Sequence, residues 1–158
     1  MLKNDRKKAK KWQLYLLLIV IILTIILKLY YSYYWPKAKI EINGQEISVL
    51  VADNILRWEK GLGDRKELGA DGMLFIFPKT ESHIFVMRDM RFPIDIIWIK
   101  QGMIVDIASN VMTEPTKKEA ELTPYIARDD SNWVLEMSAG GAQNLNLKIG
   151  DKVKMVRY

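Results

Sequence analysis

The sequence predicts a mainly β domain, a small antiparallel sandwich or barrel-like fold with one or two short helices, preceded by one transmembrane helix. Residues 14–27 form a run that is apolar or aromatic except for Thr24. Beyond residue 36, short apolar segments are separated by glycine, asparagine and proline, which is typical of strands joined by tight turns. One of these segments, residues 94–99, is apolar on both strand faces and so predicts a central, covered strand.

The N-terminal part of the chain carries the signals of a membrane anchor. Residues 1–11 hold six Lys or Arg and one Asp. A helix over residues 12–35, with aromatic side chains near both ends, would be roughly 36 Å long, enough to cross a bilayer. Because basic flanks stay in the cytoplasm, we predict a single-pass plasma-membrane protein. Its parts are a cytoplasmic tail at 1–11, a signal anchor at 12–35 and an extracytoplasmic domain at 36–158.

A cleaved signal peptide is the alternative interpretation of this segment. Bulky aromatic residues occupy the exit of the apolar run, and no small-x-small cleavage pattern follows it. This pattern favours an anchor that remains part of the protein.

A hairpin and a short helix open the predicted domain. Asn43 and Gly44 separate two alternating runs at 39–42 and 45–52, and this dipeptide is typical of a type I′ turn. Asp53 or Asn54 can cap a helix that extends to about residue 60 and ends at a glycine. Residues 73–77 then predict a buried strand closed by a proline.

The centre of the domain is predicted to consist of two strands, residues 83–88 and residues 94–99. Alternation places His83, Phe85 and Met87 on one face of the first strand. The second strand places Asp95 among apolar residues, so we expect its carboxyl group to be sequestered. A buried carboxyl group must be paired, hydrogen-bonded or protonated.

The C-terminal third of the chain continues the pattern of short strands. Strands are predicted at residues 103–109, 133–137 and 152–157, with a short helix near 141–147 and a polar, charged loop at 111–124. The strand at 133–137 places a second acid, Glu136, on a face that should be partly buried.

Charge and cysteine content exclude several classes of function. Residues 40–158 hold 15 Lys or Arg against 18 Asp or Glu, so the basic character of the chain belongs to its N-terminal flank. We therefore predict no nucleic-acid partner, because such proteins need a basic face on the folded domain. The absence of cysteine excludes disulfides, thiol catalysis and cysteine zinc sites.

Four ordered sequence patches resemble the domain of unknown function 192 family. The patches are Gly61-Leu62 with Arg65, then 72–78, then 85–90 with 92–96, and finally 133–136 with Gly140 and 150–153. The resemblance covers residues 39–157. It implies a compact β-sandwich-like domain, often exported or membrane-tethered in prokaryotes, and it implies no established activity.

Five polar residues are the candidate site: Arg65, Arg88, Asp89, Asp95 and Glu136. They suit a ligand pocket. Alternatively, Asp95 and Glu136 could form an acid–base pair for hydrolysis, since two carboxyl groups in one apolar cavity have separated pKa values. The structural alternative is that Arg65 or Arg88, or backbone amides at loop corners, neutralise the two acids.

A soft-metal site is a further alternative. His83, with Met87 and Met90, could hold Cu(I) outside the membrane. A single histidine and core-filling methionines are the simpler interpretation, and we predict no cofactor.

These observations predict a membrane-tethered, extracytoplasmic binding or interaction module at the cell envelope. Its membrane partner is contacted through residues 12–35, and its other partner would be an envelope ligand or protein. A carboxylate-pair hydrolase and a copper-binding protein are the alternative functions.

Overall fold

The structure is a computed structural model that describes the backbone of residues 2–158 and the side chains of residues 11–30 and 34–158. The chain divides into two compact units, one that ends at Tyr34 and one that comprises Trp35–Tyr158. The side chains of residues 1–10, which make up most of the predicted basic tail, lie outside the described residues.

The N-terminal unit is a single helix, α1, Leu2–Tyr33, which begins earlier than the predicted boundary at residue 12. Its segment Lys11–Tyr30 is long and apolar enough to cross a membrane and makes no buried contacts within the structure. A helix of this length and composition near the N-terminus fits a membrane anchor, and a signal sequence has the same features.

The second unit consists of strands and short helices. They are β1 (Lys37–Ile42), β2 (Gln45–Ala52), α2 (Ile55–Lys60), β3 (Gly72–Glu81), β4 (Ile84–Phe85), β5 (Ile94–Lys100), β6 (Met103–Val111), a 3-10 turn (Glu119–Glu121), β7 (Tyr125–Ile126), β8 (Ser131–Ser138), α3 (Gly141–Asn144) and β9 (Val153–Arg157).

Within the described residues, seven strands form one curled sheet in the order β6-β5-β8-β3-β2-β1-β9. Neighbouring strands are antiparallel except β2 and β3, which run parallel. A bridge between Met103 of β6 and Lys152, the residue before β9, links the two ends of the sheet. The predicted mainly β, barrel-like fold is therefore confirmed.

Both faces of the central strands are buried, as predicted for residues 94–99. One face of β5 and β8 contributes Ile97 and Leu135 to an apolar cluster inside the curl. The other face contributes Ile96, Trp98 and Val134 to a second cluster. The second cluster is the one beneath the candidate site.

Local sequence signals explain the first hairpin and the helix α2. Asn43 and Gly44 both have positive φ angles, 53° and 78°, as the hairpin turn between β1 and β2 requires. The Asn54 side chain accepts a hydrogen bond from the backbone N–H of Arg57, and the helix ends at Gly61 with φ 47°. Both predictions are confirmed.

The predicted strand at residues 83–88 is wrong beyond Phe85. β4 has only two residues, and it pairs with β7, a strand that the sequence did not indicate. After it the chain turns, with Asp89 at φ 53° and the Met90 N–H directed to the Met87 carbonyl. The turn buries both methionines in the same apolar cluster, which an extended strand cannot do at this spacing.

The predicted end of the third strand at Pro78 is also wrong, because β3 continues to Glu81. The pairing of β3 with β8 shifts register between Ile76 and Glu81. Pro78 lies in this interruption, where its missing N–H removes no ladder hydrogen bond.

Candidate functional site

Glu136 lies in the middle of the sheet, on strand β8. It is in register with Met73 of β3 and Ile96 of β5, so its side chain shares their face, that of the second apolar cluster. Only 6% of the residue is exposed. The Glu136 carboxyl group therefore lies on the apolar face of β8, the face that the sequence predicts to be partly buried.

A glycine permits the close packing of β3 against this part of β8. A Cβ atom at Gly72 would lie 2.7 Å from Leu135 Cδ1 and 3.0 Å from the Glu136 carbonyl oxygen. The absence of a side chain at position 72 thus lets β3 and β8 approach each other at Leu135 and Glu136.

Glu136 borders a cavity of about 200 Å³ on this face of the sheet. Aromatic side chains from α2, β3 and β4 line it together with glycine, aliphatic and charged residues. The principal lining residues are Trp58, Glu59, Lys60, Phe75, Phe77, His83, Phe85, Arg88 and Glu136. We call this cavity the Glu136 pocket.

The aromatic rings of the pocket contact one another and hold its shape. The Phe77 ring stacks on the imidazole of His83 at 3.7 Å between centroids and meets Trp58 at 5.0 Å. Phe85 packs edge to face against Phe75 at 5.1 Å and against Trp98 at 6.4 Å. The Trp58 indole N–H donates to the Ala52 carbonyl oxygen, which fixes that ring at the start of α2.

Two buried polar atoms of the pocket lining, Glu136 Oε2 and His83 Nε2, have no hydrogen-bond partner among the described residues, and neither has Nε1 of Trp98, whose ring packs against Phe85. Buried polar groups in proteins are nearly always satisfied by protein or water. Burial raises the pKa of Glu136 to about 8, so its carboxyl group is mainly protonated at neutral pH.

The charged groups at the mouth are engaged with partners outside the pocket. Arg88 donates to the carboxylate of Glu119, and this ion pair raises the pKa of the guanidinium. The Lys60 ammonium group donates to the carboxylate of Asp64, four residues further along the chain, at 2.8 Å. Arg88 therefore does not neutralise Glu136, as one sequence-based interpretation supposed.

Asp95 lies away from the pocket and is held by backbone amides. Its Oδ1 accepts a hydrogen bond from the N–H of Asn110 at 2.8 Å, and its Oδ2 accepts from the N–H of Ala142 at 2.9 Å. The residue is fully buried. It ties β5 to the end of β6 and to the start of α3, which is the structural role that sequence reasoning offered as an alternative.

The structure does not bring Asp95 and Glu136 together. Asp95 is in register with Met137, whereas Glu136 is in register with Ile96. Partners in register share a face, so the two carboxyl groups lie on opposite faces of the sheet. An acid–base pair cannot form between them in this arrangement.

The remaining predicted polar residues lie at the edges of the domain. The Arg65 guanidinium sits 4.8 Å from the centroid of the Trp35 ring, a cation–π contact, and partial burial lowers its pKa. Asp89 occupies the left-handed turn next to Arg88, and its carbonyl oxygen accepts from the Asp64 N–H.

The proposed copper ligands are not held on one strand face. His83 stacks on Phe77, and Met87 and Met90 are buried in the second apolar cluster. Across the described residues no group of three His, Asp or Glu side chains could hold a metal ion.

Three residues of the pocket lining, Glu136, Arg88 and His83, were predicted from the sequence as candidate site residues, whereas the aromatic lining residues were not. Phe75 and Phe77 are two residues apart on β3 and therefore share a face, which is the signal that could have indicated a wall. Trp58 gave no such signal, because α2 is too short to show helical periodicity.

The curled sheet defines a compact, mainly β domain, and the Glu136 pocket lies between α2, β3 and β4. The chain belongs to the DUF192 family, described as "Uncharacterized ACR", whose profile matches residues 38–155. No curated protein matches the chain.

Two solved structures share the fold. A protein from Sinorhizobium meliloti 1021, proposed to be a transcription regulator, has 25% sequence identity and a TM-score of 0.68, covering 77% of this chain and 95% of its own. A protein of unknown function from Novosphingobium aromaticivorans DSM 12444 has 29% identity and a TM-score of 0.63, covering 76% of this chain and 84% of its own.

Proposed function

We propose that this protein is a membrane-tethered, extracytoplasmic binding module and that its binding site is the Glu136 pocket. The helix α1 would anchor it, with the basic N-terminal flank in the cytoplasm. The second unit begins at Trp35, two residues after α1 ends, so an anchored domain would meet its ligand close to the bilayer.

The observation that carries the proposal is the unpartnered Oε2 atom of Glu136. A carboxyl group that is 94% buried and lacks a partner destabilises the fold, and replacing it with an apolar residue would remove that cost. A ligand in the adjoining cavity would supply the missing hydrogen bond, since small-molecule pockets place a few polar groups among apolar ones.

The pocket favours binding over acid–base catalysis. Its second lining carboxyl group, that of Glu59, is exposed on α2, whereas Glu136 lies at the buried end. Asp95, the other candidate acid, is on the opposite face of the sheet. A hydrolytic mechanism based on Asp95 and Glu136 therefore has no geometric support.

The charge of the folded domain argues against a nucleic-acid ligand. Residues 40–158 hold 15 basic and 18 acidic side chains, whereas nucleic-acid binding domains present a clustered basic face. We therefore do not extend to this chain the regulatory role proposed for the Sinorhizobium meliloti protein.

The test is an NMR titration of the full chain in non-ionic detergent, with ¹⁵N in the indole groups of its five tryptophans. Four probes are added separately: n-butylammonium, 1-butanol, D-glucose and N-acetylglucosamine. At least one probe should shift the signals of Trp58 and Trp98 and leave those of Trp12 and Trp133 in place. If no probe moves the Trp58 signal, or if every tryptophan signal moves alike, the pocket is not a ligand site.

A further inference from the structure

We propose that the Glu136 pocket takes the primary ammonium group of a small alkylamine, in contact with aromatic rings and salt-bridged to the Glu136 carboxylate. This inference rests on the proposed function and names its ligand class.

When ionised, the Glu136 carboxyl group has no basic partner. None of the basic side chains described here pairs with Glu136: Arg88 is bound by Glu119, Lys60 by Asp64, and Arg65 lies over Trp35. A primary ammonium group has three N–H donors and would make a charge-assisted hydrogen bond to Oε2. A quaternary ammonium group has no such donor and should bind more weakly.

Aromatic rings form part of the pocket lining. Trp58, Phe75, Phe77 and Phe85 all line the cavity that Glu136 borders. Ring faces attract cations, and the attraction is larger where water is excluded. The walls therefore supply apolar contact for an alkyl chain and electrostatic attraction for its charged end.

The size of the cavity limits the ligand. About 200 Å³ is smaller than the roughly 300–1,000 Å³ of typical small-molecule pockets. An ammonium group on a short alkyl chain fits this volume, whereas an oligosaccharide or a drug-sized molecule would remain mainly outside.

Taken together, the charged groups around the mouth of the pocket do not repel a cation. Arg88 and Lys60 are each paired with a carboxylate, and Glu59 and Asp89 both act electrostatically on Arg88. The imidazole of His83 is the other titratable group facing the cavity. The two basic groups, Arg88 and Lys60, are thus surrounded by four acidic ones, Glu59, Asp64, Asp89 and Glu119, before Glu136 itself is counted.

The proposal predicts how affinity depends on pH. Burial raises the pKa of Glu136 to about 8, so below that pH an entering ammonium ion must displace one proton from the carboxyl group. Affinity for n-butylammonium should rise about tenfold per pH unit from pH 6 to 8 and level off above pH 8, until the amine itself loses its proton near about pH 10. A neutral ligand held by the protonated acid would bind evenly below pH 8 and weaken above it.

The experiment compares n-butylammonium with 1-butanol, which has the same alkyl chain and no charge, on the full chain in detergent. The shift of the Trp58 indole signal reports occupancy. We expect n-butylammonium to bind at least tenfold more tightly than 1-butanol at pH 8, and Glu136→Gln to abolish this preference. Glu67→Gln, which removes an exposed carboxylate outside the pocket, should leave both affinities within twofold of wild type.

A His83→Asn variant identifies the group that titrates, since histidine side chains in general change charge between pH 5 and 8. The pH slope should persist in this variant and vanish in Glu136→Gln. Equal affinity for the two probes, or an unchanged preference in Glu136→Gln, would overturn the ammonium proposal. If only 1-butanol or a sugar shifts Trp58, the pocket remains a binding site with a neutral ligand; if nothing does, the proposed function fails as well.

Discussion

Asp95 and Glu136 lie on adjacent strands, one residue apart in register, yet their carboxyl groups point to opposite faces of the sheet. Asp95 has two backbone N–H donors, and Glu136 Oε2 has no partner among the described residues. Two buried acids that look equivalent in the sequence therefore have different roles. Asp95 fastens three elements of the fold, whereas Glu136 keeps an oxygen without a hydrogen-bond partner among the described residues.

Replacement of Glu136 by glutamine should stabilise the protein in a pH-dependent way. The pKa of Glu136 is raised from an ordinary 4.5 to about 8, so between these values the unfolded chain releases a proton that the folded chain keeps. Wild-type stability should fall by about 1.4 kcal/mol per pH unit across this window. The Glu136→Gln protein should gain about 3–5 kcal/mol in unfolding free energy at pH 8, relative to wild type, and almost nothing at pH 4.

Denaturant unfolding of the full chain in detergent at several pH values measures this difference. Glu67→Gln serves as the control, because its carboxylate is exposed. Parallel stability curves for wild type and Glu136→Gln would show that Glu136 has an ordinary pKa.

Removal of the Asp95 carboxylate should destabilise the fold strongly. Asp95→Ala leaves the N–H groups of Asn110 and Ala142 without their acceptor, and we expect a loss of about 2–4 kcal/mol. Asp129→Ala is the matched control, since this exposed aspartate pairs with Lys100 at the surface and its loss should change the unfolding free energy far less than the loss of Asp95. An unchanged unfolding free energy for Asp95→Ala would contradict the fastening role.

A side chain at position 72 should strain the contact between β3 and β8. The Cβ of Gly72→Ala would lie 2.7 Å from Leu135 Cδ1, and overpacking of this kind costs about 1–3 kcal/mol. Leu135→Ala removes the clashing atom at its own cost. In a double-mutant cycle, the two substitutions together should therefore cost less than their sum. Strict additivity would show that the strands do not touch at this point.

The proposed topology can be tested with single cysteines, because the chain has none of its own. A cysteine at the exposed position Ser138 should react with a membrane-impermeant maleimide in intact cells. A cysteine at Asn4 should react only after lysis, and both proteins should stay in the membrane after an alkaline wash. Release of a shortened chain into the medium would instead identify α1 as a cleaved signal sequence.

Sequence patterning predicted the elements whose signals are local. The Asn43-Gly44 turn, the capped helix α2 and the two-sided apolar strand β5 follow from turn chemistry, capping and alternation. The turn after Phe85 was missed, because residues 83–88 alternate like a strand. The burial of both Met87 and Met90 depends instead on the left-handed conformation of Asp89 between them.

Only part of the candidate site could be predicted from the sequence, and the reason is physical. Burial of Glu136 follows from alternation along β8, but its distance from Asp95 depends on the register between β5 and β8, which turns and long-range packing decide. The pocket walls come from three separate elements that only the folded chain brings together.

The most direct test of the central claim is a ¹³C NMR titration of the Glu136 carboxyl group in the full chain. Glutamate labelled at Cδ supplies the signals, and the signal that is missing in Glu136→Gln gives the assignment. We predict a midpoint near pH 8, as expected for a buried acid without a partner beside the aromatic pocket. A midpoint near 4.5 would mean that Glu136 is solvated or paired, and the pocket would lose the group on which its proposed binding role depends.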